Sequence, residues 1–352
     1  MRDNKKKKSG SVRRSILIVL CVFLALILLL LLAGTIYMES MLGRINRVDK
    51  NETNSTLSAS EIEDILNEGK ETVAQDYTGP TMNVEDVTWA PDITEPIEQS
   101  DNIINILLIG QDRRPGETRA RSDAMILCTV NKEKKTVTLT SFMRDLWVQI
   151  PGYYDERINT SYALGGMQLL NSCIEKNFGV VVDGNVEVDF SGFETVIDIV
   201  GGVDIELARS EANYLNGRHG WNLTAGVNHL NGEQALAYAR NRTTVVEESG
   251  DFGRTNRQRI VLTKLMEKAK TMSLSQLNEL LTEVLPTVTT DLTDAEIFGY
   301  LVELFPLLTD LKIETGRVPA DGSYIMTMID GKSVLVPDLE ESRAQMKEIM
   351  AN

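Results

Sequence analysis

The longest uncharged stretch of the chain constrains its fold most strongly. Ser15 to Met38 form a run of 24 residues without a charged side chain. At about 1.5 Å per residue, a helix of this length reaches roughly 36 Å, which exceeds the ~30 Å hydrocarbon core of a bilayer. A cleavable signal peptide has an apolar core of only about 7–15 residues. The run therefore predicts an uncleaved transmembrane signal anchor over residues 15–38.

The charges on either side of the run predict its orientation. Residues 1–14 carry seven Lys and Arg residues against one acidic residue, whereas the segment after the run has mixed charge. Cytoplasmic flanks of membrane helices are enriched in Lys and Arg. We therefore expect a single-pass cell-membrane protein with a basic cytoplasmic tail, an N-terminus in the cytoplasm and an extracellular catalytic domain.

The charge balance of the chain limits its partners. The formal net charge is −15 for the whole chain and +6 for the tail, which leaves −21 for residues 15–352. A protein surface that binds the phosphate backbone of nucleic acid is normally basic. We therefore exclude nucleic acid as the main partner, although this balance still allows a local group of arginines.

Histidine and cysteine are scarce. His219 and His229 are the only histidines, and the three cysteines show no CxxC spacing. Zinc chemistry and a Ser-His-Asp triad are therefore poorly supported. Cys128 and Cys173 lie in the predicted exported part, where they are equally compatible with a disulfide and with two buried thiols.

Residues 39–100 have the composition of an extracellular spacer. Ser58 to Glu61 match a capping box, which predicts a short helix at this point. The sequence that follows is acidic and interrupted by Pro80, Pro91 and Pro96, as is typical of linkers. Residues 101–352 then form one predicted domain of about 250 residues, near the upper limit for a single hydrophobic core.

Apolar periodicity in this domain alternates between strands and helices. Met125–Val130 and Thr136–Phe142 flank a charged turn, which predicts a hairpin. A Gly- and Asn-rich stretch from Asn213 to Asn228 precedes the segment GEQALAYAR, which Asn231 is predicted to cap. The fold class is therefore α/β, a single mixed-sheet domain with flanking helices, preceded by one transmembrane helix and a spacer. Further strands are predicted at Ile103–Ile109, Val180–Val188, Asp204–Leu207 and Leu311–Val318, and helices at Leu164–Asn177, Phe190–Val200, Arg254–Lys270, Leu274–Leu285, Ala295–Leu307 and Leu339–Met350.

Four short segments place charged residues at the ends of predicted elements. Each segment alone is compatible with solvated surface charge. Ligands of open α/β sheets, however, bind beyond the carboxyl ends of strands. The segments are Gly110 to Arg114, Arg121 to Asp123, Met143 to Asp145, and Ala239 to Arg242 followed by Gly250 to Gln258.

The arginines in these segments indicate an anionic ligand. Guanidinium groups bind phosphate oxygens in bidentate fashion, so a pyrophosphate fits. Asp112 and Asp123 would repel this ligand unless a hard cation such as Mg²⁺ lies between them. Arg240 and Arg242 are two residues apart, so they converge only if the predicted helix ends between them.

The motifs that carry these residues resemble those of the LytR-CpsA-Psr family of bacterial cell-envelope proteins. The resemblance covers about Ile103 to Lys270, with the motifs in the family's order behind a signal anchor. It is loose beyond Lys270. The motifs are NILLIGQDRR, RSDAMIL, TLTSFMRDLWVQIPG, ERINTSYALGG, VEVDFSGFETVIDIVGGVDIEL, LNGEQALAYARNR and GDFGRTNRQR.

The resemblance implies a function in cell wall biogenesis. Family members are understood to move a glycopolymer, such as teichoic acid or capsule, from a polyprenyl pyrophosphate carrier to peptidoglycan. It implies that Asp112 and Asp123 bind Mg²⁺ and that Asp251 helps to activate the acceptor. It further implies a set of pyrophosphate-binding residues, which consists of Arg121, Arg144, Arg157, Arg240, Arg242, Arg254 and Gln258.

Three functions are compatible with this reading. The first is a membrane-anchored, Mg²⁺-dependent phosphotransferase whose partners are the lipid-linked glycan, peptidoglycan and the bilayer. The second is a hydrolase that splits the same pyrophosphate with water, and the third is a non-catalytic reader of lipid-linked wall intermediates. For the lipid tail, we expect an apolar slot between Phe193, Ile197 and the Val- and Ile-rich strands.

Overall fold

The computed structural model describes residues 36–50, 57–67, 79–89, 95–111, 121–242 and 250–352. The predicted cytoplasmic tail, nearly all of the predicted anchor, and Asp112 lie outside these residues. None of the helices in the described part of the chain is both long enough and apolar enough to cross a membrane. The chain divides into two compact units, Met1–Ile45 and Asn46–Asn352. In the first, residues 36–42 are helical.

The second unit alternates between strands and helices. Its strands are β1 Asn46–Arg47, β2 Ile103–Gln111, β3 Ser122–Asn131, β4 Thr136–Phe142, β5 Trp147–Val148, β6 Glu156–Arg157, β7 Gly184–Asp189, β8 Val203–Leu207, β9 Gly226–Leu230, β10 Val288–Thr290, β11 Lys312–Val318, β12 Tyr324–Ile329 and β13 Lys332–Pro337. Its helices are α1 Ala59–Asn67, α2 Ile158–Phe178, α3 Phe190–Ile199, α4 Arg209–His219, α5 Gly232–Arg240, α6 Gly250–Ala269, α7 Leu274–Val284, α8 Asp294–Leu304 and α9 Leu339–Ala351.

A seven-stranded mixed sheet organises this unit, with the strand order β1-β10-β7-β2-β3-β4-β11. The predicted mixed-sheet α/β fold with flanking helices is confirmed. Strands β7 and β2 are parallel, as are β4 and β11, whereas β3 is antiparallel to both β2 and β4. The carboxyl ends of β7, β2, β4 and β11 therefore lie along one edge of the sheet, where β3 begins.

Helices cover both faces of the sheet. On one face, Leu107 and Leu127 are fully buried beneath α2 and α9. On the other face, α6 and α8 pack over Ile104, Ile126 and Leu139. A second apolar cluster joins α3, α4, α5 and the β8–β9 hairpin beside the sheet.

Two parts of the fold were not predicted from the sequence. The Gly- and Asn-rich stretch from Asn213 to Asn228, to which no element was assigned, contains the second half of α4. Leu215 is fully buried in the second cluster, and Gly220 ends the helix in the left-handed region. Tertiary packing thus outweighs the low helix propensity of Gly and Asn. Strands β12 and β13 were not predicted, although the Asp330-Gly331 turn between them, with φ values of 50° and 76°, has a typical hairpin sequence.

Parts of the predicted spacer pack against the predicted domain of residues 101–352. Strand β1 pairs with β10 at the sheet edge, and Thr81 forms a bridge to Met328. Trp89 donates a 2.7 Å hydrogen bond to Asp155. The domain boundary at residue 101 stays a prediction.

Cys128 and Cys173 are free thiols. Cys173 is fully buried in α2 and Cys128 is partly buried in β3. Burial raises the pKa of each thiol to about 12. Of the two alternatives that the sequence left open, the structure therefore shows two unpaired, unreactive thiols.

Candidate active site

Charged residues from distant segments meet at the carboxyl edge of the sheet. Asp123 is the second residue of β3, and Arg144 follows the end of β4 by two residues. The first turn of α6 contributes Asp251 and Arg254. Arg242 lies two residues beyond the end of α5. We refer to Arg144, Arg242 and Arg254 as the arginine cluster.

Asp123 lies among all three arginines of the cluster. Its Oδ1 atom is 2.8 Å from Nη1 of Arg144, 3.5 Å from Nη1 of Arg254 and 3.8 Å from Nη2 of Arg242. Burial alone would raise the pKa of Asp123, but the charges of Arg254, Arg144 and Arg242 outweigh burial and lower it. Asp123 is therefore ionised in the folded protein at neutral pH.

Asp251 contacts the same three arginines from the other side. Its Oδ1 atom is 2.7 Å from Arg254, 3.4 Å from Arg144 and 4.0 Å from Arg242. Its Oδ2 atom is buried and accepts no hydrogen bond from any described residue. Three guanidinium groups thus surround two carboxylates, which leaves a net positive charge at the centre of an acidic chain.

The arginines of the cluster differ in burial. Arg254 has a side chain that is only 3% exposed, whereas that of Arg242 is 43% exposed. Burial, together with the charges of Arg144 and Arg242, lowers the pKa of Arg254 despite the opposing charge of Asp251. Arg144 is also largely buried, but the carboxylates of Asp251, Asp145 and Asp123 raise its pKa. The carboxylates therefore compensate the charge of Arg144 more fully than that of Arg254.

Asp145 links the arginine cluster to a second group of charges. Its Oδ2 atom is 3.7 Å from Nε of Arg144, and its Oδ1 atom is 3.6 Å from Nη1 of Arg157. Next to Arg157, Glu156 forms a buried ion pair with Lys332. Burial raises the pKa of Asp145, and the negative charge of Asp251 adds to this effect. The positive charges of Arg144 and Arg157 act in the opposite direction but do not outweigh it.

Arg121 lies on the side of this second group. Its Nη2 atom donates a 2.5 Å hydrogen bond to the carbonyl of Ile65 in α1. The next carbonyl of that helix, Leu66, accepts a 2.7 Å hydrogen bond from Lys332. Burial lowers the pKa of Lys332, and the positive charges of Arg157 and Arg121 lower it further. The structure thus places Arg121 and Arg157 beside the arginine cluster rather than within it.

Arg240 occupies a separate position on the same edge. Helix α5 ends at Arg240, so the helix does end between Arg240 and Arg242, as their convergence would require. The guanidinium of Arg240 lies 4.3 Å from the ring centroid of Phe190, the residue that follows β7. Arg242 instead faces Asp123 and Asp251. The two arginines therefore flank the site from different sides.

Two glutamines near the site have different roles, of which only Gln258 was predicted to bind the ligand. Gln258 lies one turn after Arg254 on α6, and its Oε1 atom is buried without a hydrogen-bond donor among the described residues. Gln111, at the end of β2, is buried and donates a 2.6 Å hydrogen bond to the hydroxyl of Tyr162. Gln258 is therefore available to a ligand, whereas Gln111 holds the end of β2 in place.

Sequence reasoning missed several residues around the site. Asp145 was visible within a motif but was given no role, and Phe190 carried no signal as a support for Arg240. Lys332 lies outside the recognised motifs as a single lysine in an unpredicted hairpin. Only the tertiary contacts of that hairpin bring it to Glu156.

The oxygen donors present are compatible with a partly hydrated Mg²⁺ ion. No group of three metal-binding side chains occurs in the part of the chain that the structure describes. Mg²⁺, however, is usually held by one or two carboxylates together with phosphate oxygens and water. Asp123, with a side chain that is 29% exposed, supplies one such carboxylate, so the described residues fit the ion in combination with a phosphate ligand. The second predicted metal ligand, Asp112, lies outside the described residues.

Comparisons with known proteins show which proteins this chain is similar to. The model of the LytR_cpsA_psr family matches residues 53–351. The chain is 36% identical over 222 residues to the polyisoprenyl-teichoic acid–peptidoglycan teichoic acid transferase TagU of Bacillus mycoides, covering 62% of this chain and 69% of TagU. It is 31% identical over 243 residues to the regulatory protein MsrR of Staphylococcus aureus, covering 68% and 72% of the two chains.

The fold is also similar to that of a solved structure. TagT of B. subtilis bound to LIIa-WTA superposes with a TM-score of 0.58 at 26% identity, covering 74% of this chain and 95% of TagT. This similarity extends over most of both chains. The two proteins therefore share the same overall fold.

Proposed function

Because this chain belongs to the LytR_cpsA_psr family, we propose that it is a membrane-anchored phosphotransferase. It moves a glycopolymer from a polyprenyl pyrophosphate carrier to peptidoglycan. The name of its relative TagU describes a transfer between these classes of donor and acceptor. The observation that carries the proposal is the arginine cluster, in which three guanidinium groups share two carboxylates at the carboxyl edge of the sheet.

The arginine cluster binds the pyrophosphate of the carrier. In the absence of a ligand, Asp123 and Asp251 neutralise part of its charge at distances of 2.7–4.0 Å. The planar guanidinium group of arginine binds two phosphate oxygens in bidentate fashion. The phosphate oxygens therefore replace these carboxylates as the ligand enters. Arg121, Arg157, Arg240 and Gln258 surround the cluster and hold the phosphates and the first sugar.

The transfer reaction is a displacement at phosphorus. The oxygen of an acceptor hydroxyl attacks the glycan-proximal phosphorus, the bridging P–O bond breaks, and polyprenyl monophosphate leaves. The hydroxyl proton passes to the carboxylate of Asp251. Such transfers depend on positioning and charge stabilisation more than on covalent catalysis, so arginines suffice without His or Cys nucleophiles.

Asp112 and Asp123 would hold a Mg²⁺ ion, which neutralises charge that develops on the phosphate oxygens. Asp123 is ionised through its arginine neighbours, so it can serve this purpose at neutral pH. Its side chain is 29% exposed and therefore accessible to an ion that arrives with the donor.

The lipid tail of the carrier lies along the less tightly packed face of the sheet. Ile106 and Leu108 of β2 are partly exposed on this face, whereas Leu107 and Ile109 on the opposite face are at most 2% exposed. Met266 of α6 covers the same face. The apolar slot expected between Phe193 and Ile197 is wrong, because Ile197 is fully buried in the second cluster and cannot line an open channel.

The row formed by Ile106 and Leu108 leads along β2 to the edge that carries the arginine cluster. The substitution Leu108→Glu places a charge in this row. We expect it to raise the KM of a donor with a long prenyl chain and to leave the KM of a short-chain donor unchanged. Equal effects on both donors would contradict the assignment of this face to the lipid tail.

The catalytic domain is extracellular and attached to the membrane through the predicted anchor at residues 15–38. This location brings the arginine cluster to the membrane face that presents polyprenyl pyrophosphate. Labelling of single cysteines in intact cells tests it: a cysteine at Ser210 should react with a membrane-impermeant reagent, and a cysteine at Ser9 should not. The reverse pattern would contradict the topology.

Incubation of the full-length protein with a lipid-pyrophosphate glycan, Mg²⁺ and peptidoglycan oligomers tests the function. Peptidoglycan-linked glycan is the expected product. Release of free phosphorylated glycan would instead identify a hydrolase. Tight binding without turnover would identify a non-catalytic reader of lipid-linked wall intermediates, a role compatible with the name of the regulatory relative MsrR.

A further inference from the structure

A large polar cleft lies on a different face of helix α6 from the arginine cluster. Its volume is about 960 Å³, at the upper end of the range of small-molecule sites. Asp251, Arg254 and Gln258 of α6 project towards the cluster. Gly253 and Asn256, with Ile260 and Lys264 in the following turns, line the cleft. The same helix therefore forms a wall of both sites.

The cleft is formed between two parts of the second unit. One wall is the end of β8 and the start of α4, with Glu206 and Glu211. The opposite wall consists of the end of β11, with Arg317, and the segment after it, with Asp321. Clefts between separately packed clusters are common positions of binding sites.

The lining of the cleft combines charges of both signs. The basic side chains in the lining are Arg257, Arg259, Lys264 and Arg317, and the acidic ones are Glu206, Glu211 and Asp321. Sugar hydroxyls donate and accept hydrogen bonds at the same atom, so an alternation of donors and acceptors suits a glycan. Several of these charges neutralise one another, because Arg317 pairs with Asp321 and Arg257 pairs with Glu211. A lining of nearly balanced charge gives no strong attraction to a polyanion, so the cleft favours a glycan with few charges over the phosphate-rich polymer of a teichoic-acid donor.

The base of the cleft is rigid. Arg257 and Glu211 form a buried ion pair of 2.6 Å, and their side chains are 4% and 7% exposed. Arg257 also donates a 3.0 Å hydrogen bond to the carbonyl of Asn241, next to Arg242 of the cluster. The shape of the cleft is thus connected to the backbone that positions a phosphate-binding arginine.

The first turn of α6 joins the cleft to the reacting groups. Phe252 follows Asp251 in the chain, and its ring lies 4.5 Å from the guanidinium of Arg317. The next residue, Gly253, lines the cleft. Gly253 is two residues after Asp251, about 3 Å further along the helix axis, so one end of the cleft lies beside the turn that carries Asp251.

We infer that this cleft binds the peptidoglycan acceptor and delivers its hydroxyl to Asp251. The inference rests on the proposed transfer function, because it names the place of the second substrate. The donor approaches from the arginine cluster, and the acceptor approaches from the other side of α6. The two polymers thereby avoid competition for one groove.

Two variants of the full-length protein test the inference. Lys264→Glu reverses a charge at the rim, where Lys264 pairs only with exposed Glu267 among the described residues. Ala320→Trp fills the cleft with a bulky side chain. The matched control is Lys347→Glu, which changes an exposed lysine on α9 outside the cleft.

We expect both cleft variants to raise the KM for peptidoglycan oligomers about tenfold or more, equivalent to about 1.4 kcal/mol of binding free energy. The KM for the lipid-pyrophosphate donor should stay unchanged, and the control should behave like the wild type. Unchanged acceptor KM values in both cleft variants would overturn the inference while leaving the proposed transfer intact.

Direct binding of peptidoglycan oligomers separates the inference from the proposed function. If the wild type transfers no glycan, the transfer proposal fails, and binding alone decides the inference. Loss of oligomer binding in Lys264→Glu and Ala320→Trp, but not in Lys347→Glu, supports the cleft. Equal binding by all four proteins overturns it.

Discussion

Asp123 accepts a 2.8 Å hydrogen bond from Nη1 of Arg144, although 21 residues separate them in the chain. The register of the β3–β4 hairpin explains this contact. Ile126 pairs with Ser141 in this antiparallel ladder, and continuing the register places residue 123 opposite residue 144. A local hairpin thus brings together a proposed metal ligand and a proposed phosphate ligand.

Removal of one exposed arginine should reduce transfer without unfolding the domain. Arg242→Ala is the best choice, because its side chain is 43% exposed whereas that of Arg254 is 3% exposed. We expect transfer to decrease about 10²–10³-fold, as when one charge-stabilising donor is lost from an active site. Turnover and thermal unfolding should be compared with those of Arg209→Ala, which changes an exposed arginine at the start of α4. Normal transfer by Arg242→Ala would show that the assignment of this arginine is wrong.

Asp123 should determine the dependence of transfer on Mg²⁺. Chelation of divalent ions should reduce transfer by the wild type, and added Mg²⁺ should restore it. Asp123→Ala should be inactive at every Mg²⁺ concentration, because it removes a proposed ligand. The measurement is initial rate against Mg²⁺ concentration. An Asp123→Ala variant with wild-type metal dependence would contradict a metal-binding role.

Asp145→Asn should stabilise the folded protein near neutral pH. Burial, together with the charge of Asp251, raises the pKa of Asp145 in the folded state above its unfolded value of about 3.9. The folded state therefore binds the proton more tightly, and stability falls as pH rises from the unfolded pKa through the folded pKa. Asparagine does not titrate, so the variant avoids this loss.

The measurement for Asp145→Asn is urea unfolding between pH 4 and pH 7. The free energy of unfolding of the variant should exceed that of the wild type most at pH 7. The difference should shrink as the pH approaches about 3.9, the pKa of Asp145 in the unfolded chain. Asp101→Asn, at an exposed turn before β2, provides the control. A variant that is less stable than the wild type at pH 7 would refute the expected sign.

Phe190 should act as a positioning residue for Arg240. Its ring centroid lies 4.3 Å from the guanidinium, and such a contact contributes about 0.5–1 kcal/mol at an exposed site. Phe190→Leu should therefore raise the donor KM about two- to fivefold with kcat little changed. Phe190→Tyr keeps the aromatic ring and should retain the wild-type KM. Equal KM values for the Leu and Tyr variants would exclude this role.

Local patterns in the sequence predicted much of the fold. The apolar run of Ile103–Ile109, the threonine-rich strand before Met143 and the capped helices all appear near their predicted positions. These patterns involve residues that are close together in the chain, so they can be recognised in a single sequence without knowledge of tertiary contacts. Strand β10 was missed because it has only three residues and pairs with the distant strand β7. The β12–β13 hairpin was missed although its turn has a typical hairpin sequence.

The site was predicted in its residue types but not in its arrangement. The motifs indicated arginines and aspartates at strand ends, and the hairpin alone suffices to join Asp123 to Arg144. Nothing local indicates that Arg242 and Arg254 converge on the same two carboxylates, that Arg240 rests on Phe190, or that Arg121 contacts α1. These contacts join segments far apart in the chain.

The sequence by itself determined the class of this protein: an acidic α/β chain with a predicted anchor and arginine-bearing motifs at the ends of its strands. Periodicity, charge and spacing are properties of the chain, so they can be read without a fold. The tertiary structure decided which charges share a site, because distances between guanidinium and carboxylate groups depend on strand register and helix packing. It also revealed the cleft beyond α6, since walls that come from residues 206–211 and 316–321 meet only in the folded molecule.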